Sequence, residues 1–219
     1  MYNICMIEFS GVFLKYTKEF YALYDINFEV KKGETVCLLG DDGSGKSSIL
    51  RVLCGLEKPT KGEVYIKSIP IKKVDFINDV NVGYIPYKGA FFEKKTVYDN
   101  LKYIVKLRTK SKAEQESIIN NTVIEFKLEA ILHTRATELN LFQKYLVSVA
   151  RLSIRDPEVI LIDDVFSDLT DEDKKSVLTL FKERFIKPNK TVIFTVSDEA
   201  TAKALGGRLI KLVSGSIEN

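Results

Sequence analysis

Cysteine and histidine are scarce in this sequence of 219 residues, which contains three cysteines and one histidine. Cys5, Cys37 and Cys54 are odd in number and scattered, so they outline no disulfide framework and have no metal-ligand spacing. We therefore expect three reduced thiols, as is usual in a cytosolic protein.

Long apolar runs and a charge of predominantly one sign are also missing. No stretch of about 20 apolar residues occurs, which excludes a membrane-spanning helix. The segment Met1–Ser10 has no basic residue and carries Glu8, so we do not expect a secretory signal there. Lys and Arg number 33 against 30 Asp and Glu, and 45% of the residues are hydrophobic. This balance argues against a strongly cationic nucleic-acid binder and against a disordered chain.

Short apolar runs alternate along the chain with segments that favour helix. Four short runs are mainly apolar and do not alternate: Thr35–Leu39, Val82–Ile85, Val159–Ile162 and Thr191–Val196. Continuous apolarity is typical of strands buried on both faces, as in parallel sheets. The sequence therefore predicts a mainly parallel sheet with helices between its strands.

Two other regions have a different pattern. Residues 7–16, 23–30 and 63–66 alternate more and are separated by turn-rich segments at 31–33 and 58–62, which predicts antiparallel strands. Residues from about 96 to 153 lack strand-like runs and are rich in helix formers and charge. One helical stripe in that region is predicted to comprise Leu139, Phe142, Leu146 and Val149.

The strongest motif follows the run Thr35–Leu39 and matches G-x-x-x-x-G-K-[ST]. Its residues are Gly40, Asp41, Asp42, Gly43, Ser44, Gly45, Lys46 and Ser47. The glycines let several backbone N–H groups converge on one anion, and a helix starting near Lys46 adds its positive end. Lys46 is predicted to reach the β- and γ-phosphates, and the Ser47 hydroxyl to ligate Mg²⁺. The acidic pair inside the loop would repel a polyphosphate unless it points away or caps the turn.

Further motifs lie around this loop at characteristic distances. Asp163 and Asp164 follow Val159–Ile162, Ser167–Leu169 comes next, and Tyr16 lies upstream. In this order the motifs resemble those of the ATP-binding subunit of ABC transporters, and the resemblance covers nearly the whole chain. It implies an α/β fold: a P-loop NTPase core with a mainly parallel sheet, an N-terminal antiparallel β subdomain and an inserted helical lobe. It also implies a single domain over 1–219, with the core at 1–86 and 154–219 and the lobe at about 87–153.

The resemblance also implies ligands, partners and location. Tyr16 would stack on adenine, residues 40–48 including Ser48 would bind the phosphates of ATP, and Ser47 and Asp163 would hold Mg²⁺. The partners would be a second ABC ATP-binding subunit, in a homo- or heterodimer, and a separate transmembrane permease, with no nucleic acid. The chain would then lie in the cytoplasm, peripheral on the inner face of the cell membrane.

Several positions depart from the family pattern in ways that affect hydrolysis. Asp164 stands in place of the glutamate that positions or deprotonates the attacking water. Its side chain is shorter by roughly 1.5 Å, and misplacing a reacting group by about 1 Å can lower the rate on the order of 10²-fold. Ser197 replaces a histidine that contacts the γ-phosphate, and loss of one such donor typically costs about 10²–10³. Tyr87 replaces a glutamine that contacts Mg²⁺. Thr170 stands where the loop after Ser167 normally ends in aspartate.

The signature loop, which family members use to contact a nucleotide on the opposite subunit, is altered as well. Instead of Leu-Ser-Gly-Gly-Gln it reads Leu139, Asn140, Leu141, Phe142 and Gln143. Asn140 is still suited to cap a helix. Side chains at the two former glycine positions would obstruct the close approach of backbone to phosphate.

Three functions are consistent with these features. The first is an ABC transporter ATP-binding subunit that binds Mg·ATP with weak or absent hydrolysis. The second is a non-hydrolysing, nucleotide-gated regulatory or structural subunit that pairs with an intact paralogue. The third is a small P-loop kinase, which would need a cluster of lid arginines. The predicted lobe offers Arg108 and Arg135, which are not clustered in the sequence.

Overall fold

The fold is described here from a computed structural model, which covers residues 5–17, 19–76 and 78–218. The first four residues of the segment Met1–Ser10 lie outside this description. The strands are β1 Cys5–Lys15, β2 Tyr21–Lys31, β3 Thr35–Leu39, β4 Lys61–Ile66, β5 Ile69–Pro70, β6 Val82–Ile85, β7 Val159–Ile162, β8 Thr191–Val196, β9 Arg208–Val213 and β10 Ser216–Ile217. The α-helices are α1 Lys46–Leu53, α2 Val97–Arg108, α3 Lys112–Glu125, α4 Leu141–Arg155, α5 Asp171–Phe185 and α6 Glu199–Leu205.

The larger sheet has six strands in the order β10-β9-β3-β8-β7-β6. Neighbouring strands from β9 to β6 run parallel, and β10 alone pairs antiparallel, with β9. All four mainly apolar runs are strands of this sheet, as predicted. The order places β3, which leads into the phosphate-loop motif, between β8 and β9, in the interior of the sheet.

Two separate hydrophobic cores cover the two faces of this sheet. On β7, Val159 and Leu161 belong to one core, while Ile160 and Ile162 belong to the other. All four side chains are fully buried. Successive residues of a strand point to opposite faces, so burial on both sides requires the apolar continuity seen in the sequence.

The smaller sheet is antiparallel and has the order β2-β1-β4-β5. Its strands are longer than the alternating patterns predicted. The sequence had placed Lys61 and Gly62 in the preceding turn, and this was wrong. β4 begins at Lys61, so both residues belong to the strand. The Lys61 backbone is paired with Phe13 of β1, which extends the strand beyond its apolar part.

Helices α2, α3 and α4 lie between β6 and β7 in the chain and form the predicted helical region. The expected stripe through Leu139 is wrong at its first position. Leu139 precedes α4, because the Asn140 side chain accepts the N–H of Gln143 and caps a helix whose first residue is Leu141. No helix among the described residues is long and apolar enough to cross a membrane.

Candidate functional site

The phosphate-loop motif connects β3 to α1 through backbone that a β-carbon would disturb. Gly45, the residue before α1, has a φ of 102°, in the left-handed region where glycine is favoured. A Cβ at this position would lie 2.7 Å from the carbonyl oxygen of Ala22. The glycine is therefore required both by its conformation and by the approach of β2.

The start of α1 differs from the starts of the other α-helices. It has no side-chain cap, whereas α2 to α6 are capped by Thr96, Ser111, Asn140, Thr170 and Asp198 respectively. The first N–H groups of a helix have no partner within the helix and lie at its positive end. At α1 no side chain occupies them, so they are available to an anion.

Lys46 supplies a buried positive charge next to these amides. Its side chain lies within the loop, and the residue is 6% exposed. The Nζ donates to the carbonyl oxygens of Gly40 and Asp41, at 2.5 and 2.8 Å. Among the described residues no carboxylate pairs with it within 4.0 Å. Because its partners are neutral oxygens and not carboxylates, this ammonium group can interact with an anionic ligand.

The two acidic residues of the loop occupy different places. The backbone of Asp41 closes the turn, because its carbonyl accepts both from Lys46 and from the N–H of Ser44, at 3.1 Å. Asp42 is exposed and lines the cavity beside the loop. Asp42 lines the cavity and Asp41 does not, so repulsion of a bound polyphosphate is expected at Asp42.

Asp163 lies at the end of β7, directly beside the first turn of α1. The Ser47 hydroxyl donates to its Oδ1 at 2.8 Å. Two more hydroxyls donate to the same carboxylate: Thr195 to Oδ1 at 2.9 Å and Tyr84 to Oδ2 at 2.9 Å. Burial and the negative charge of Asp163 raise the pKa of Tyr84, so the phenol stays protonated and acts as a donor.

The oxygens of Ser47 and Asp163 fit a magnesium ion that is shared with phosphate. Mg²⁺ takes hard oxygen ligands and is usually bound by one or two carboxylates together with substrate phosphates. In the part of the chain that the structure describes, no cluster of three or more His, Cys, Asp or Glu could hold a metal alone. This donor set therefore suits a metal that arrives with a nucleotide.

Asp164 lines the same cavity as Lys46 and Ser47. Its backbone has a φ of 44°, unusual for a residue with a side chain, and its N–H donates to the Thr195 hydroxyl at 2.8 Å. The carboxylate accepts a hydrogen bond from Ser167 at 3.0 Å. Burial, supported by nearby carboxylates, raises the pKa of Asp164, against the opposing effects of that hydrogen bond and of Lys46. A raised pKa is what a group that takes up a proton needs.

Two aromatic side chains form the far wall of this cavity, whose volume is about 260 Å³. Tyr16 and Phe20 are 45% and 53% exposed. The N–H of Tyr16 donates to the carbonyl of Phe20 at 3.2 Å, which holds the two residues at the base of one turn. The Tyr16 hydroxyl lies 3.1 Å from the hydroxyl of Ser48 on α1. The sequence analysis did not identify Phe20 as a site residue. The feature that could have identified it is its position four residues after Tyr16, across the same hairpin turn.

Tyr87 and Ser197 do not line this cavity. The Tyr87 hydroxyl donates to the carboxylate of Asp168, and Lys88 lies 3.6 Å from the same carboxylate. Ser197 is exposed immediately after β8, and its neighbour Asp198 caps α6. In this chain the Tyr87 side chain is therefore engaged by the loop after β7.

The signature-loop segment does not line the cavity either. Asn140 and Gln143 form a reciprocal capping box at the start of α4. Leu141 and Phe142 are partly buried and pack against the hydrophobic core shared by the helices. The side chains at the two altered positions thus contribute to packing within the chain.

Comparison with known proteins agrees with these features. The family model described as ABC transporter matches residues 23–167. The sulfate/thiosulfate import ATP-binding protein CysA of Mesostigma viride is 30% identical over 91% of this chain and 57% of its own length. The corresponding CysA 1 protein of Agrobacterium fabrum is 28% identical over 97% of this chain and 62% of its own. The chain thus spans about three fifths of the length of these relatives.

A solved structure supports the same assignment over the full fold. A dimeric, post-hydrolysis state of the ATP-binding cassette MJ0796 bound to ADP and Pi aligns with a TM-score of 0.84. The alignment covers 98% of this chain and 97% of that one at 27% identity. It agrees with the α/β architecture predicted from the sequence. From the loop geometry, the family match and this likeness, the chain belongs to the ABC transporter family of ATP-binding subunits.

Proposed function

We propose that this chain binds Mg·ATP in the cavity between Tyr16 and Asp164 and couples its nucleotide state to a separate membrane subunit, with weak or absent hydrolysis of its own. The observation that carries the proposal is the buried cation of Lys46 beside the uncapped start of α1. An anion-binding helix end and an unpaired ammonium in one loop form a polyphosphate site.

Each part of the nucleotide has a matching group. The adenine ring would stack on Tyr16, and the phosphates would occupy the loop Gly40–Ser48, with Lys46 at the β- and γ-phosphates. Ser47 and Asp163 would hold Mg²⁺, which neutralises phosphate charge when bound. The donor set of hydroxyl and carboxylate supports this ion, as described above.

Binding and hydrolysis depend on different residues, and the alterations at Asp164 and Ser197 belong to the second set. Asp164 has the chemistry of a general base and a raised pKa, but a shorter reach than the family glutamate. Ser197 cannot place a positive charge at the γ-phosphate. If the two losses added, the rate would fall by roughly 10⁴-fold or more, although catalytic groups rarely act additively.

The partners follow from the family membership. We propose pairing with a second ATP-binding subunit, identical or paralogous, and attachment to the cytoplasmic face of the membrane through a separate transmembrane permease. The relatives named above are import ATP-binding proteins, which favours an importer. No nucleic-acid partner is proposed, because the net charge is only +3.

A second candidate is a non-hydrolysing regulatory subunit paired with an intact paralogue. It is favoured by the signature-loop segment, where Leu141 and Phe142 stand at the two glycine positions and pack against the chain's own core. A partner's nucleotide would therefore meet no glycine backbone there. In such a subunit ATP acts as a ligand that stabilises one conformation. Replacing Asp164 with Asn would then leave the biological output unchanged, whereas loss of ATP binding would abolish it.

Calorimetric titration with ATP, with Mg²⁺ and with EDTA, tests the binding proposal. We expect saturable uptake of one nucleotide per chain. No uptake at millimolar ATP would contradict the proposal. A steady-state ATPase assay on the same protein tests the second part, because a turnover of the order of one per second, within the ordinary enzyme range, would rule out eroded hydrolysis.

A further inference from the structure

Thr195 is a buried hydroxyl that the sequence motifs do not include. It lies on β8 and is fully buried. The register pairs Phe194 of β8 with Ile162, the last residue of β7. The next residue on each strand, Thr195 and Asp163, therefore lie side by side at the edge where the nucleotide site is found.

One oxygen of Thr195 binds two consecutive residues of that site. It donates its proton to Oδ1 of Asp163 at 2.9 Å and accepts the N–H of Asp164 at 2.8 Å. A hydroxyl can do both at once, since it has one proton and two lone pairs. The same atom thus sets the rotation of the Asp163 carboxylate and the orientation of the peptide that begins Asp164.

The second bond matters because the backbone of Asp164 is in an unusual conformation. With a φ of 44°, this residue needs support from its surroundings. The N–H bond to Thr195 provides that support from inside the sheet. The direction of the Asp164 side chain into the cavity depends on this peptide.

The first bond matters because the other donor to the same oxygen, Ser47, also has to orient a lone pair toward the metal when Mg²⁺ binds. Ser47 also donates to Oδ1 of Asp163, at 2.8 Å. A serine hydroxyl that ligates Mg²⁺ offers a lone pair to the metal and has to be oriented for it, even though its proton can still be donated to Asp163. Thr195 and Tyr84 donate to the carboxylate without being metal ligands themselves, so they can fix its orientation independently of the metal.

We infer that Thr195 is a positioning residue that orients Asp163 toward Mg²⁺ and fixes the peptide of Asp164. The inference rests on the proposed function, Mg·ATP binding at this site. Partners that orient a metal-binding carboxylate typically contribute about tenfold to hundredfold to metal affinity. Thr195 would therefore set how strongly Mg²⁺ enhances ATP binding, and would leave metal-free ATP binding nearly untouched.

The test compares Thr195→Val, which keeps the shape and removes the hydroxyl, with Thr195→Ser, which keeps the hydroxyl. Thr191→Val is the matched control, because Thr191 is equally buried on the same strand and its hydroxyl accepts the N–H of Gly33, outside the site. Calorimetry gives the Kd of ATP for each protein in Mg²⁺ and in EDTA. The ratio of the two constants measures the contribution of the metal.

For Thr195→Val we expect this ratio to fall at least about tenfold, with the Kd in EDTA changed by less than about twofold. Thr195→Ser should restore the ratio, and Thr191→Val should leave it unchanged. An unchanged ratio in Thr195→Val, or an equal fall in Thr191→Val, would overturn the inference while leaving ATP binding established. If Thr195→Val does not fold, Thr195→Ala with the same criterion decides the question. Absence of ATP binding by the unsubstituted protein would overturn both the inference and the proposed function.

Discussion

Replacing Lys46 with methionine removes the buried cation of the phosphate loop and keeps most of the side-chain volume. The Nζ now donates to the carbonyl oxygens of Gly40 and Asp41 and lies 3.5 Å from the hydroxyl of Ser44. We expect it to donate to phosphate oxygens when ATP binds. A hydrogen bond to a charged group contributes about 1.5–3 kcal/mol, so two of them correspond to at least 10²-fold in Kd.

Lys190 offers a matched control for this substitution. It is also a buried lysine, 8% exposed, and its Nζ donates to the carbonyl of Pro157 at 2.7 Å and to the Asp156 side chain at 2.6 Å. Lys190 does not line the nucleotide cavity. Both methionine variants leave buried carbonyls without a donor, so both should lower the free energy of unfolding, by about 1–3 kcal/mol.

Calorimetry with Mg·ATP separates the two effects. Lys46→Met should weaken binding by at least about 10²-fold, and Lys190→Met by less than about twofold. Urea unfolding of both variants shows whether their stabilities are comparable. Equal ATP affinity in Lys46→Met and the unsubstituted protein would refute the assignment of the loop as the phosphate site.

Three further predictions concern the rest of the site and its support. Asp164→Glu should raise ATP turnover, by up to about 10²-fold, since it restores the missing reach. Tyr16→Ala and Phe20→Ala should each weaken ATP binding, roughly threefold to tenfold, through lost stacking on the base. Asp198→Ala should lower stability at neutral pH by about 1 kcal/mol through loss of the α6 cap. Burial tends to raise the pKa of Asp198, but hydrogen bonds from Thr201 outweigh it and lower that pKa to about 2. The cap's contribution is then present above the unfolded value of about 3.9 and is lost as pH falls toward 2.

Each of these predictions has its own control. For Asp164→Glu the control is Asp164→Asn, which should show no gain in ATP turnover. The argument from side-chain reach would be contradicted if the glutamate variant, even with Ser197→His added, turned over ATP as slowly as the asparagine variant. For the two aromatics it is Tyr24→Ala, since Tyr24 is 52% exposed but lies outside the cavity lining. For Asp198, urea unfolding of both proteins at pH 7 and near pH 2 should show the stability difference only at the higher pH.

The sequence was sufficient to predict four strands of the larger sheet and the loop, because these depend on local patterns. Apolar runs indicated β3, β6, β7 and β8, and glycine with lysine at set spacing indicated the loop. The parallel strand β9 was missed, because Arg208 and Lys211 interrupt its apolar residues. The convergence of Thr195 and Tyr84 on Asp163 depends on the register of three strands, which no local pattern records. The roles of the site residues and the limits of the helical lobe at about 87–153 stay predictions.

The start of α4 shows why one helical prediction failed. Apolar spacing alone extended the helix back to Leu139, which is 6% exposed and therefore fits a core stripe. The hydrogen bonds between Asn140 and Gln143 begin the helix after that residue. Where a capping box is present, it sets a helix boundary more sharply than hydrophobic periodicity does.

The division of β7 between two cores has a consequence for the carboxylate at its end. The side chains of Val159 and Leu161 pack in one core, and those of Ile160 and Ile162 pack in the core on the opposite face of the sheet. Packed interiors are dense and deform little, so neither core can move the strand without compressing the other. Asp163 is thus held at the end of a strand that is packed on both faces. A conformational change that follows a change of nucleotide must therefore pass through the loops around Asp163.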